Sequence, residues 1–525
     1  MHEFIAKHQD QITGTLSGFD RLVFRGTLRS ISFPDGLWHY LHANNVLFKD
    51  FGSHVDRVSR QLKDASLNEA HELGRPVRYL NSSQVSKEEI AREILSRDGI
   101  RDGLICVLTC VEPCCSFEIH RNRQTKKLEL VSRYRKCLFL YQYRVHPRFG
   151  FMNARIQTWF PFPIQICMNG RESLGRQMDR KGIKYAAEGN CFPWIEDWAK
   201  GQRLMDQQLR TEWPKELEPI ARQLNPVHEE IFARYPLSYY WTTYQSEWAI
   251  DVVFRKASEL RRLYPRLVHH GMTTFASTDV MRYLGKRTCL TGEVPRNFSG
   301  EVMSDLKERQ EGMRIKHSVN GNSVKLYDKA FTAAGSVLRA ETTIHNGSDF
   351  RVYRAKEGDP EGPKSWRTMR RGIADIHRRA DLSKKAAERY LDAFAAVDDD
   401  TTLEELIARV QKHTVWRGQR MRALRPFADD RSLLAAVTRS EFTISGFRNR
   451  DLQASFFPSP AKTPREARRR SAWITRKLRL LRAHSLIAKI AGTHRYQLTP
   501  SARKLNAAIL TALRCTVNQL TTLAA

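Results

Sequence analysis

LRAHSLIAKIAGTHRYQLTPSARKL, residues 481–505, changes its structural period twice. The "LL…LI" pattern of Leu480, Leu481, Leu486 and Ile487 at its start ends an apolar-periodic helix. AKIAGTHRYQLT then reads as strand, tight turn at Gly492, strand. "YxLTPxA" leads from the second strand into a closing helix, SARKLNAAILTAL.

Upstream, three helices precede this hairpin. RSLLAAVTR is the first, and GFRNRDLQASFF, after Gly446, is the second. REARRRSAWITRKLRLLRAHSLI is the third, with Trp473, Ile474, Leu478, Leu481 and Ile487 near helical spacing. Three helices and a β-hairpin resemble the winged-helix family over residues 426–525. The resemblance implies DNA binding, with the third helix in the major groove and the wing on the backbone. Winged helices also serve as protein-docking modules.

Charge points to nucleic acid independently. Residues 451–525 hold 14 Lys and Arg against Asp451 and Glu466, a net of +12. Arg468, Arg469, Arg470, Arg476, Lys477, Arg479 and Arg482 sit on or before the third helix, and His494 and Arg495 in the wing. Arg reads guanine and grips phosphate with two bonds. A solvated helix face is the other reading of some of them.

The whole chain agrees. It has 525 residues, with 87 Lys and Arg against 57 Asp and Glu, a formal net charge of +30. A body that basic attracts polyanions, and DNA or RNA is the expected partner. Hydrophobic residues make up 41% and charged residues 27%, values of a folded chain rather than a disordered one. The length predicts several domains. The N-terminus MHEFIAKHQDQITG carries no signal-peptide pattern, and no apolar run reaches membrane-spanning length. Nine scattered cysteines suit a reducing cytoplasm better than a disulfide framework.

The expected fold class is α+β and multidomain. Residues 1–200 form a mixed α/β domain. GFDRLVFRGTLRSI reads there as a strand pair or a strand turning at Gly26. Helical period continues to Gly74, Ser86 caps the helix KEEIAREILSRDG, and four or five largely antiparallel strands begin at 104. Residues 201–300 are helical by period, ending in the long SEWAIDVVFRKASELRRLYPRLVHHG. Residues 301–356 return to a β-hairpin segment, 366–425 form a basic helical segment, and the Asp398–Asp400 run starts a further helix.

Four stretches carry candidate chemistry. The first, NSVKLYDKA…LRAETTI (322–344), follows a hairpin dipeptide at Asn320-Gly321. Lys325, Tyr327 and Lys329 face one side and Asp328 the other, while Arg339 and Glu341 share a face. Asp328 and Glu341, meeting across the ladder beside Lys329, would hold Mg²⁺ for metal-dependent phosphodiester cleavage. The YDK…LRxE arrangement is similar to one in plasmid and filamentous-phage replication initiators. The alternative is a salt-bridged basic sheet whose Lys325 and Arg339 touch phosphate.

The second is SYYWTTYQSEW. Tyr240 and Tyr244, four apart, share a face if helical. Replication initiators and related transposases use such a pair as nucleophiles on DNA. They also need a His-hydrophobic-His metal strand, and the chain has none. A core or base-stacking role is the other reading.

The third is Cys106, Cys110, Cys114 and Cys115 near His120, without the paired spacing of a structural zinc site. The fourth is Asp20 in GFDRLVFRG, an acid on an early strand as in nucleases of the RNase H type. Its candidate partners are Glu118, Asp179, Asp197 and Glu247. The runs RLVFRGTLR and RVHPRFGFMNARIQTWFPF mix Arg with aromatic rings in a way that suits single strands. No Walker-type loop, G-x-G-x-x-G turn or Ser/His/Asp constellation is present.

These readings converge on a nucleic-acid-binding protein of mobile-element type, acting in replication, transposition or RNA-guided binding, with a metal-dependent nuclease activity open. The alternative is a non-catalytic DNA-binding regulator or RNA-binding scaffold.

Overall fold

The computed structural model describes residues 2–275, 277–286, 301–309, 312–332, 335–356, 358–359, 361–397, 401–439, 442, 446–490 and 493–517. The chain divides into two compact units. The N-terminal unit is Leu16–Trp248 with Arg371–His377. The C-terminal unit is Met1–Thr15, Ala249–Arg370 and Arg378–Ala525. The structure is mixed α and β, with a large mixed sheet. No helix among the described residues is long and apolar enough to cross a membrane.

The N-terminal unit holds strands β1 (Ile12–Thr27), β2 (Val77–Leu80), β3 (Gly103–Arg121), β4 (Leu128–His146), β5 (Gly150–Gln157) and β6 (Ile164–Asn169). A small hairpin, β7 (Tyr185–Glu188) and β8 (Cys191–Ile195), follows, and then the start of β9 (Tyr240–Phe254). The sheet order is β9-β1-β6-β5-β4-β3-β2, antiparallel from β1 to β3 and parallel at β3·β2.

The four or five strands expected beyond residue 104 are four, β3 to β6. LICVLTCVEP and CSFEIHRN are one strand, β3, and KLELVSRY and KCLFLYQYRVHP are one, β4. Residues 104–110 and 139–145 are buried on both faces, because helices cover both. Helix Phe51–Glu72 packs Leu67 and Ala70 onto Leu104 and Val107. Helix Lys87–Arg97 packs Ala91 and Ile94 into the cluster around Ile105, Leu108 and Tyr143. Ser86 starts that second helix by accepting from Glu89 N–H at 3.4 Å. GFDRLVFRGT lies in one strand, β1, with no turn at Gly26.

The region 201–300 departs from its helical expectation. Helices Trp198–Gln207, Trp213–Leu224 and Ala257–Thr274 form, but YWTTYQSEWAIDVVF is strand β9. Trp248 to Phe254 are all buried. A strand buried on both faces shows the same unbroken apolar run as a buried helix, so period does not separate them.

The C-terminal unit begins its sheet with β10 (Val302–Arg309), β11 (Gly312–Val319), β12 (Asn322–Thr332) and β13 (Gly335–Ile344), followed by β9. Asn320 and Gly321 turn β11 into β12 with φ of 50° and 79°, as the dipeptide predicts. Helix Ala257–Thr274 packs on β11, β12 and β13. Its Tyr264 hydroxyl donates to the carbonyls of Met313 and Leu326.

Three short hairpin strands and their partners follow: β14 (Arg351–Arg354) with β15 (Ser365–Thr368), β16 (Thr414–Trp416) with β17 (Gln419–Met421), and β18 (Ile487–Lys489) with β19 (Tyr496–Leu498). The segment 366–425 is therefore not wholly helical. It holds helices Ile376–Ala393 and Leu403–Ala408 and the β16–β17 hairpin.

The C-terminal core joins helices Arg431–Val437, Asn449–Phe456, Pro464–Ala483 and Pro500–Ala512 through Leu434, Leu452, Ile474, Leu478, Leu481 and Ile509. Leu406, Ile407 and Leu424 belong to the same core, so this body starts before residue 426. Phe447 and Tyr496 exchange backbone hydrogen bonds of 2.9 and 2.8 Å, which ties the segment after Gly446 to β19. Gly446 has φ +63°, and a Cβ there would stand 2.5 Å from the Tyr496 carbonyl oxygen. The turn at Gly492 and the Asp398–Asp400 run lie outside the described residues.

Candidate functional site

The helix Pro464–Ala483 presents Ser471, Thr475, Arg479 and Arg482 along one face, at spacings of three and four residues. Helix Asn449–Phe456 and its entry supply Arg448, Asn449, Arg450 and Gln453. The β18–β19 hairpin adds His494 and Tyr496, and β16 adds Trp416. Together with Leu478 these residues line an open groove of about 510 Å³. Four lining residues are Arg and none is Asp or Glu.

The groove is built, not draped. Asn449 Nδ2 donates to the Ser471 carbonyl and to Thr475 Oγ1, both at 2.8 Å, locking the two helices together. Gln453 donates to Asn449 Oδ1. The Arg482 guanidinium lies over the Trp416 ring, 5.0 Å from its centroid, and near Tyr496 at 5.9 Å. Stacking of this kind holds an Arg flat with its N–H edge outward. The Tyr353 hydroxyl accepts from Arg450, and the Tyr353 ring also faces Arg448.

The other cations predicted on this face divide by their partners. Arg468, Arg469 and Arg476 are exposed. Arg470 is turned inward: it donates to Glu466 and to the Ser459 carbonyl, so it fastens the helix start. Lys477 donates to Asp430 at 3.0 Å. Asp430 is fully buried and also receives Arg422 and the Arg425 N–H. Burial alone would raise the Asp430 pKa, but those hydrogen bonds bring it down to about 2. Arg495 is buried and donates to the Gly446 carbonyl at 2.7 Å. Lys477 and Arg495 are therefore structural cations, which corrects their reading as nucleic-acid contacts.

The β12–β13 reading is also corrected. Lys325 stands opposite Glu341, Tyr327 opposite Arg339, and Asp328 opposite Leu338. Asp328 and Glu341 thus point to opposite faces of the sheet and do not form a metal pair. Glu341 is buried and accepts from Lys325 at 2.5 Å. Burial pushes its pKa up, the Lys325 ammonium pushes it down, and the ammonium prevails. Arg339 is fully buried and grips Asp251 at 2.6 and 2.9 Å. Lys329 is buried too. Neither Arg339 nor Lys325 is presented to a phosphate. Asp328 has its pKa raised to about 6 by burial, against the pull of Arg261.

Tyr240 and Tyr244 lie on strand β9, not on a helix. Four strand residues span about 13 Å, too far for both hydroxyls to serve one phosphate. The Arg29 guanidinium sits over the Tyr240 ring at 3.5 Å. The cysteine cluster is packing: Cys106, Cys110 and Cys114 are buried with Cys137, while Cys115 is exposed.

Of the partners proposed for Asp20, the N-terminal unit brings one to it. Oxygen atoms of Asp20 on β1 and Glu247 on β9 lie within 4.8 Å of one another. Asp20 is 4% exposed, accepts from Asn190 at 2.8 Å and has Arg171 4.0 Å away. Glu247 accepts from Gln245 and has Arg21 at 4.0 Å. Glu118 is instead paired with Arg133, Asp179 accepts from Tyr185, and Asp197 caps the helix Trp198–Gln207. Two clustered carboxylates offer the hard oxygen donors that Mg²⁺ takes.

Sequence reasoning missed Arg448, Arg450 and Trp416 as groove residues. Arg448 and Arg450 stand in GFRNRD, where a charge-by-helix count would have found them. Trp416 belongs to a hairpin sixty residues from Arg476 in sequence, and nothing local signals that the two regions meet. No family model matches this chain, and no curated protein or solved structure matches it either.

Proposed function

We propose that the chain is a nucleic-acid-binding protein that holds duplex DNA on its C-terminal groove in the manner of a winged helix. The carrying observation is the groove of four Arg with no carboxylate, walled by the helix Pro464–Ala483 and the β18–β19 hairpin. Helix, preceding helix and hairpin have the order of a winged-helix reader, in which the third helix enters the major groove and the wing follows the backbone. Exposed Arg479 on the outer face supplies donors for base edges and phosphates. The acid-free lining and the exposed Arg468, Arg469 and Arg476 favour a polyanion over a protein partner.

The test is a fluorescence anisotropy titration of a labelled duplex against the full chain at several salt concentrations. Arg479→Gln with Arg482→Gln is expected to weaken binding by about 1–3 kcal/mol per Arg and to flatten the salt dependence. Unchanged affinity and slope would sink the reading.

A second reading concerns catalysis. The nearness of Asp20 and Glu247 favours Mg²⁺-assisted phosphodiester cleavage in the N-terminal unit. Bound there, the ion would supply Lewis-acid polarisation of a phosphodiester; Asp20 and Glu247 would hold it, and Arg171 and Asn190 would fix the Asp20 carboxylate. A non-catalytic regulator with the same groove is the alternative, and the metal experiment in the Discussion separates the two.

A further inference from the structure

Strands β3 and β4 outrun their neighbours. β2 pairs with β3 only at Val107–Cys110, and β5 pairs with β4 only at Phe139–His146. From Val111↔Leu138 to Arg121↔Leu128 the two strands pair with each other alone. One face of this two-stranded ribbon stays buried as far out as Phe117 and Leu130, so the part free of the body is the last stretch of paired residues, from Glu118 to Arg121, about 13 Å at 3.3 Å per residue, with the tip beyond it.

Its tip is both ordered and basic. Asn122 Oδ1 accepts from Gln124 N–H at 2.9 Å and Thr125 N–H at 3.1 Å. Asn122 N–H donates to the Lys127 carbonyl, and Asn122 Nδ2 to Glu129. Around that turn stand Arg121, Arg123, Lys126 and Lys127, all exposed, with no acid between 121 and 127. None of these four, nor exposed Lys136 further down, has an ion-pair partner among the described residues. The acids on the ribbon are already engaged: Glu112 by Lys87 and Arg155, Glu118 by Arg133, and Glu129 by Asn122. Tyr134 is 86% exposed on the same arm.

Four like charges held around one ordered turn repel each other in the free protein, and a polyanion relieves them. A two-stranded ribbon matches the roughly 12 Å major groove of B-form DNA, whereas the deep, narrow major groove of A-form RNA does not admit one. We infer that this arm is a second DNA-binding element, inserting its tip into the major groove of duplex DNA with Arg121, Arg123, Lys126 and Lys127 on the flanking phosphates. It rests on residues of the N-terminal unit alone and does not use the C-terminal groove.

The experiment compares the full chain with the variant Arg121→Gln, Arg123→Gln, Lys126→Gln, Lys127→Gln on a fluorescein-labelled 30-bp duplex. All four residues are exposed, so the melting temperature should stay at the wild-type value and report an intact fold. The slope of log K against log salt is expected to fall by about 3–4, near 0.9 for each phosphate no longer neutralised. Binding of a double-stranded RNA of the same length should not change its slope. An unchanged DNA slope, or an equal loss on DNA and RNA, overturns the arm as a groove-inserting element. The Arg479→Gln, Arg482→Gln variant in the same titration keeps the two ideas apart. If it alone loses affinity, the arm is refuted and the C-terminal reading stands; if the arm variant alone does, the reverse holds.

Discussion

Lys477 Nζ lies 3.0 Å from Asp430 Oδ1, although Lys477 sits between two outward-facing cations, Arg476 and Arg479, on one helix. One basic helix thus divides its charge between holding the fold and facing solvent. The partner decides which cation does which, and the sequence around Lys477 does not reveal it.

Asp430→Asn should destabilise the C-terminal unit. The carboxylate is buried and accepts charge-assisted bonds from Arg422 and Lys477, whose side chains still reach solvent, so its loss costs about 1–3 kcal/mol. The pH profile carries the sign. The folded pKa is about 2 against the usual 3.8, so the stabilisation is present above 3.8 and lost as pH falls towards 2. Thermal melting between pH 2 and 7 checks both, and a variant with the same acid limb as wild type would contradict the assignment.

Arg339→Gln and Arg479→Gln should behave as opposites. The first removes the guanidinium that donates twice to the buried Asp251 carboxylate, so the melting temperature falls while DNA affinity of the folded protein holds. The second leaves melting unchanged and lowers affinity. Differential scanning calorimetry beside anisotropy reads the pair. A loss of affinity without a loss of stability at Arg339 would return that residue to the DNA-binding surface.

Asp328→Asn should be tolerated. The folded Asp328 carboxyl keeps its proton up to about pH 6, whereas the usual value is 3.8. Stability from this group is therefore full below 3.8 and lost as pH rises through 6. The variant should melt at or above the wild-type temperature at pH 7 and lack that pH dependence. A Mg²⁺-dependent activity abolished by Asp328→Asn in a folded protein would instead restore Asp328 as a metal ligand.

Mn²⁺ or Mg²⁺ added to the nucleic-acid-free protein should raise its melting temperature if Asp20 and Glu247 hold the ion, and the rise should vanish in Asp20→Asn and in Glu247→Gln. Nicking of a supercoiled plasmid is expected to vanish with it. A metal-insensitive wild-type melt would leave the pair as a salt-linked anchor and the chain as a binder without catalysis.

What could be read from the chain follows from how local each signal is. The Ser86 cap, the Asn320-Gly321 turn and the end of helix Phe51–Glu72 at Gly74 are set by a few neighbouring residues, and they stand where their residues predict. The apolar spacing of Ile474, Leu478 and Leu481 likewise marks a buried face. SEWAIDVVF misled because β9 is buried on both sides and shows no alternation. β3 runs unbroken through Pro113. The convergence of Asp20 with Glu247 depends on β1 lying beside β9, a pairing across more than two hundred residues that no local pattern encodes. Register was the other hidden variable: Asp328 and Glu341 are the right residue types, but Lys325, not Asp328, faces Glu341.

The most direct measurement is photo-crosslinking of a duplex carrying halogenated bases to the full chain, with the crosslinked peptides mapped by mass spectrometry. Crosslinks should fall on the residues lining the C-terminal groove, in peptides around Arg448–Gln453, Ser471–Arg482 and His494–Tyr496. Crosslinks confined to other surfaces, with those peptides unmarked, would contradict the winged-helix account of binding.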